Sequence, residues 1–134
     1  MLNSLLNQLK IDFKDFNFRP GGDKFLFRPP KTIVLGAEEP QAELLLLHEL
    51  SHALLGHRTF KTDIQRLRME SDAWAKAKEL AAKYSVPIDE DFIEDQLDTY
   101  RDWLHTKSKC KKCGLTRFAT PDGKYHCPFC EQKI

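Results

Sequence analysis

Residues 40–57 read PQAELLLLHELSHALLGH. Glu38 and Glu39 precede the run and Pro40 opens it, which places acid in the first turn of a helix and proline near its first position, both favourable there. Leucine and alanine then occupy most of the circumference as far as Leu55, and Gly56 supplies a stop. A helix from about Pro40 to Leu55 is therefore expected, and expected to be buried. Yet it carries His48, Glu49 and His52. Each of these polar groups needs a partner in an apolar setting or destabilises the fold.

One metal ion satisfies all three. His48-Glu49-Leu50-Ser51-His52 is an H-E-x-x-H pattern, and residues at i and i+4 share a helix face, so both imidazoles reach one ion. Glu49 points to the side, toward a water on that ion. Zinc takes imidazole nitrogen and carboxylate oxygen in tetrahedral sites with one open position, and it brings the pKa of a bound water to about 7. A neighbouring carboxylate then takes the proton as the water attacks a carbonyl. The competing reading is a buried helix whose two histidines and glutamate are salt-bridged.

Such a site needs a third protein ligand. The metzincin spacing H-E-x-x-H-x-x-G-x-x-H asks for glycine at position 55 and histidine at position 58, where this chain has Leu55 and Arg58. His57 is out of register and reads as a polar residue just after the helix. A further helix is expected over roughly Gln65–Tyr84, and on it Glu70 shares a face with Ala73, Trp74, Ala77, Leu80 and Ala81. A carboxylate on that stripe calls for a cation. Asp72 aligns instead with Lys76, Glu79 and Lys83 on the solvated side. The alternative for Glu70 is an ion pair with Arg66 one turn earlier.

At these residues the chain resembles the ImmA/IrrE-type metallopeptidases. HELSHALLGH followed by Glu70-Ser71-Asp72-Ala73 looks like their H-E-L-x-H helix and downstream E-x-[ED]-A helix, over roughly residues 31–84. Trp74-Ala75-Lys76-Ala77 stands where that family usually has a Phe-Ala pair. These are gluzincins, with the two-histidine, one-glutamate zinc site also found in thermolysin. The resemblance implies His48, His52 and Glu70 as zinc ligands, Glu49 as general base, and an edge strand that holds the substrate backbone by β-augmentation. It also implies a protein substrate, often a transcriptional regulator in that family. Tyr84, Tyr100, His57 and His105 are the candidates for steadying the oxyanion.

Outward from this centre, Leu2, Leu5, Leu6 and Leu9 fall at helical spacing and predict a short amphipathic helix at the N-terminus. Lys24–Arg28 and Lys31–Gly36 read as two short strands around Pro29-Pro30, and the double proline places them at an edge or a kink. A last helix is expected over about Asp89–His105, with core face Ile93, Leu97, Tyr100 and Leu104. Fold class is thus α+β: a small zincin-like domain over residues 1–105, then a zinc ribbon over 106–134.

The boundary at 106 follows from composition. Residues 106–134 carry seven basic against two acidic side chains, while 1–105 carry fourteen against eighteen. All four cysteines lie in the second segment. Cys110-x2-Cys113 and Cys127-x2-Cys130 are two knuckles separated by thirteen residues, the spacing of a four-cysteine structural zinc site. Thr120-Pro121-Asp122-Gly123 is a turn signal between them. A segment this short cannot bury enough apolar surface to fold alone, and metal makes up the difference. Two zinc ions are therefore expected. The basic ribbon suits protein docking or weak nucleic-acid contact along a phosphate backbone.

The whole chain has 134 residues, 31% charged, with a formal net charge of +1. Its longest unbroken apolar run, Leu44–Leu47, is far short of a membrane span. The N-terminus lacks the basic region of a secretory signal, and clustered cysteines point to a reducing compartment, so a cytoplasmic protein is expected. Two other functions compete with a zinc endopeptidase. A SprT-like protease acting on DNA-bound proteins also joins H-E-x-x-H to a ribbon, but takes its third ligand from a downstream histidine, and none lies between His57 and His105. A non-catalytic zincin-like regulatory module would have no need of Glu49.

Overall fold

A computed structural model describes residues 2–109 and two short strands at 118–119 and 125–126. The architecture is α+β, with four helices and a three-stranded sheet among the described residues. Helix α1 (Leu2–Asp12) buries Leu5 and Leu9, the centre of its leucine stripe. Strand β1 (Asn17–Arg19) follows, then β2 (Leu26–Arg28) and β3 (Thr32–Val34). Pro29-Pro30 lies in the turn between β2 and β3, where no ladder N–H is required of it.

The sheet order is β1-β3-β2. β2 is an edge strand, as the proline pair implies, but β3 is central. The reason is β1, which pairs parallel with β3 through Asn17↔Thr32, Phe18↔Ile33 and Arg19↔Val34. On the other side β2 runs antiparallel with Leu26↔Val34, Phe27↔Ile33 and Arg28↔Thr32. Phe18, Ile33 and Phe27 therefore share one face, and Arg19, Val34, Leu26, Thr32 and Arg28 share the other. Beyond β3 the backbones come close: a Cβ on Gly36 would stand 2.5 Å from the Phe25 nitrogen and 2.6 Å from the Lys24 carbonyl carbon.

Helix α2 (Ala42–Leu54) packs against β2, β3 and α1. Leu44, Leu46, Leu47 and Leu50 are almost fully buried, each worth about 1.5–3 kcal/mol of transfer free energy. Helix α3 (Asp63–Tyr84) begins two residues before the expected start at Gln65. A capping box explains the extension: Thr62 Oγ1 accepts from the Gln65 N–H at 3.2 Å, and Gln65 Oε1 accepts from the Thr62 and Lys61 N–H groups at 3.3 and 2.7 Å. Ala73, Trp74, Ala77, Leu80 and Ala81 are buried along α3, as their spacing predicts. The helix ends with Ser85 at φ 57° and a Val86 N–H bond to the Ala81 carbonyl, a left-handed stop built without glycine. The Tyr84 hydroxyl donates to Asp12, tying the end of α3 to the end of α1.

Helix α4 (Glu90–Ser108) buries Ile93 and Leu97, with Tyr100, Trp103 and Leu104 half-buried. It runs through residue 106, so the break in composition falls in its last turn. The chain divides into two compact units, Met1–Arg58 with Ser71–Asp89, and Thr59–Glu70 with Glu90–Ile134. In the second, Lys107 pairs with the buried Asp63 at 2.9 Å, and the Arg66 guanidinium lies 5.2–5.3 Å from the ring centroids of Phe60, Tyr100 and Trp103. Strands β4 (Phe118–Ala119) and β5 (Tyr125–His126) pair antiparallel, one on each side of the turn signal at 120–123. Cys110, Cys113, Cys127 and Cys130 lie outside the described residues, and the ribbon expectation with them. No helix among the described residues is long and apolar enough to cross a membrane.

Candidate metal centre

His48, His52 and Glu70 converge, their ligand atoms all within 4.8 Å of one another. The two histidines are one turn apart on α2, 4% and 8% exposed. Their Nε2 atoms are 3.2 Å apart. Two bare lone pairs at that separation repel, so a shared hydrogen or a cation belongs between them. Two nitrogens on one tetrahedral zinc, each about 2.0–2.1 Å from it, stand about 3.3–3.4 Å apart. The donor pair therefore already has the spacing such an ion requires. Glu70 is half-buried on α3. Its place follows from the helix: it precedes the buried Ala73 and Trp74 by three and four residues and shares their stripe. Asp72 is exposed, on the solvated side as its spacing predicts. Glu49 is half-buried beside His48 on α2, turned about 100° from it by the helix.

Each histidine is held by a different neighbour. The His48 ring stacks on Trp74, with centroids 4.0 Å apart and planes inclined by 20°. Trp74 is itself 2% exposed, so the indole is a fixed wall that sets the plane of the imidazole. His52 is set by His57. Helix α2 ends in a Schellman motif: Gly56 takes φ 71°, its N–H bonds the Ala53 carbonyl at 3.2 Å, and the His57 N–H bonds the His52 carbonyl at 3.0 Å. That reversal brings the His57 ring back over the residue it caps. His57 Nδ1 stands 2.9 Å from His52 Nδ1, with the rings edge to face.

The pairing selects a tautomer. If His52 keeps Nε2 free as a ligand, its hydrogen sits on Nδ1 and is donated to His57 Nδ1, which leaves the His57 hydrogen on Nε2. Metal-binding histidines regularly donate their second N–H to such an outer acceptor. In the sequence His57 is out of register as a ligand and stands otherwise only among the oxyanion candidates. The signal for its second role was present in Leu55-Gly56-His57, because the residue after a left-handed C-terminal glycine faces the last turn of its helix. Two of the oxyanion candidates are otherwise engaged, Tyr84 with Asp12 and Tyr100 against Arg66.

No family model, no curated protein and no solved structure matches this chain.

Proposed function

We propose that this chain is a zinc-dependent endopeptidase of the gluzincin type, acting on a protein substrate. The observation that carries the reading is the convergence of two buried imidazoles and one carboxylate, with the imidazole nitrogens 3.2 Å apart. Histidine and glutamate are a donor set that zinc favours in catalytic sites, where three protein ligands leave a fourth position open. His48, His52 and Glu70 would hold the ion, which when bound would supply a Lewis acid for a carbonyl and bring the pKa of a water close to 7.

The chain's own residues do the rest. Glu49 accepts the proton of the attacking water and returns it to the leaving amine, a general base and then a general acid. Trp74 and His57 hold the two imidazoles in place, so little reorganisation is needed when the substrate arrives. The edge strand β2 offers unpaired backbone groups for an extended substrate. The spacing of Cys110, Cys113, Cys127 and Cys130 supports a second, structural zinc in a ribbon that docks a substrate or partner.

Glu49→Gln tests the reading, because the amide fits the same space and cannot accept the proton. The variant is expected to keep its zinc and its fold and to lose peptide cleavage. It also serves as bait, since a partner bound and uncut names the substrate. Equal cleavage of a captured substrate by wild type and variant rules out Glu49 as the base.

A further inference from the structure

The face of the sheet that carries Arg19 and Arg28 lines a groove of about 650 Å³, shared with Lys24, Leu26, Val34 and Asp23. No residue of α2 lines it, so it opens on the face turned away from that helix. Arg19, Lys24 and Arg28 are all exposed. Among the described residues none of the three has a carboxylate partner, and Asp23 is the single acid in the lining. The wall formed by residues 20–24 is fixed to the sheet by the Gly22 N–H bond to the Leu35 carbonyl at 3.1 Å.

We propose that this groove docks an extended, acidic segment of a partner protein. Two cations at a fixed separation set its pattern. Arg19 and Arg28 lie two strands and one two-residue rung apart, about 12 Å between Cα atoms for strands spaced ~4.8 Å with a rise of ~3.3 Å per residue. Side chains at i and i+4 of an extended chain are about 13 Å apart. Acidic residues at those positions meet both guanidinium groups, and the residue at i+2 lies over Leu26 and Val34, where an aliphatic side chain fits. The partner therefore reads acid-x-aliphatic-x-acid. A nucleic-acid strand fits less well: the lining has no aromatic ring on which bases stack. The docking is independent of the metal centre.

Fluorescence anisotropy on the full chain tests it. The probes are a labelled peptide with glutamate at i and i+4 around a leucine, the same peptide with glutamine for both glutamates, and a single-stranded oligonucleotide. The acidic peptide is expected to bind best, and Arg19→Gln with Arg28→Gln is expected to weaken it about tenfold, the modest effect of losing two exposed ion pairs. Lys14→Gln, which removes an exposed cation outside the lining, leaves binding unchanged. Circular dichroism confirms that the double variant is folded. The proposal is overturned if the glutamine peptide binds equally well, if the double variant binds as wild type does, or if the oligonucleotide binds more tightly through the same two arginines.

Discussion

Deleting the His57 ring separates the ligands of the candidate centre from the residue that sets them. His57→Ala removes the acceptor 2.9 Å from His52 Nδ1, so the His52 ring is free to turn and to carry its hydrogen on the nitrogen that faces His48. Loss of an outer partner of this kind weakens metal binding about 10–100-fold. At about 1.36 kcal/mol per decade, that is roughly 1.4–2.7 kcal/mol. The fold itself is expected to change by no more than about 0.5 kcal/mol, because the Schellman bonds at 56 and 57 are made by backbone atoms and the ring is only half-buried. Zinc affinity measured by competition with a chelating dye, beside a thermal melt of the metal-free protein, reads the two effects separately. His57→Asn, which keeps an acceptor near the same place, should recover part of the loss. Equal zinc affinity at this centre in wild type and His57→Ala, where His48→Ala abolishes binding at the same centre alone, refutes the argument.

Three further outcomes are expected. Glu70→Ala should strip zinc from the centre while Asp72→Ala leaves it, a contrast read by metal analysis of the two purified variants. Ser85→Gly should raise stability by about 0.5–1 kcal/mol, because glycine takes the left-handed φ of 57° without the Cβ penalty, and a denaturant midpoint at or below that of wild type argues against it. Burial first, then the bond to Asp12, pushes the Tyr84 phenol up to about 12 from its ordinary value of 10. The folded state thus holds this proton more tightly than the unfolded chain. Its contribution to stability is present in full below pH ~10 and lost as pH climbs toward 12, so Tyr84→Phe should flatten the fall in melting temperature across that interval.

The helices were legible because each has a period. Leucine spacing marked α1, the apolar run marked α2, and the alanine and tryptophan stripe marked α3 and placed Glu70 on its buried side. What escaped was set by geometry that no period records. β1 is three residues long, too short to alternate, and its parallel partner lies fifteen residues on. The early start of α3 depended on a reciprocal pair of hydrogen bonds at Thr62 and Gln65, not on hydrophobicity. His57 was visible as a histidine, but its place beside His52 follows from a left-handed turn that only Gly56 makes easy.

Gly36 has a consequence for the genetics of this chain. The atoms that a side chain at 36 would strike are backbone atoms of Lys24 and Phe25. A clash against a side chain is relieved by trimming that side chain, so a crowded core position acquires suppressors at its neighbours. Here no substitution at 24 or 25 removes the obstacle. A selection begun from Gly36→Ala should return true revertants, or deletions that reshape the loop, and should not return single substitutions at the residues in contact. Position 36 is in that sense without allies, and every working variant that keeps this loop at its present length should carry glycine there.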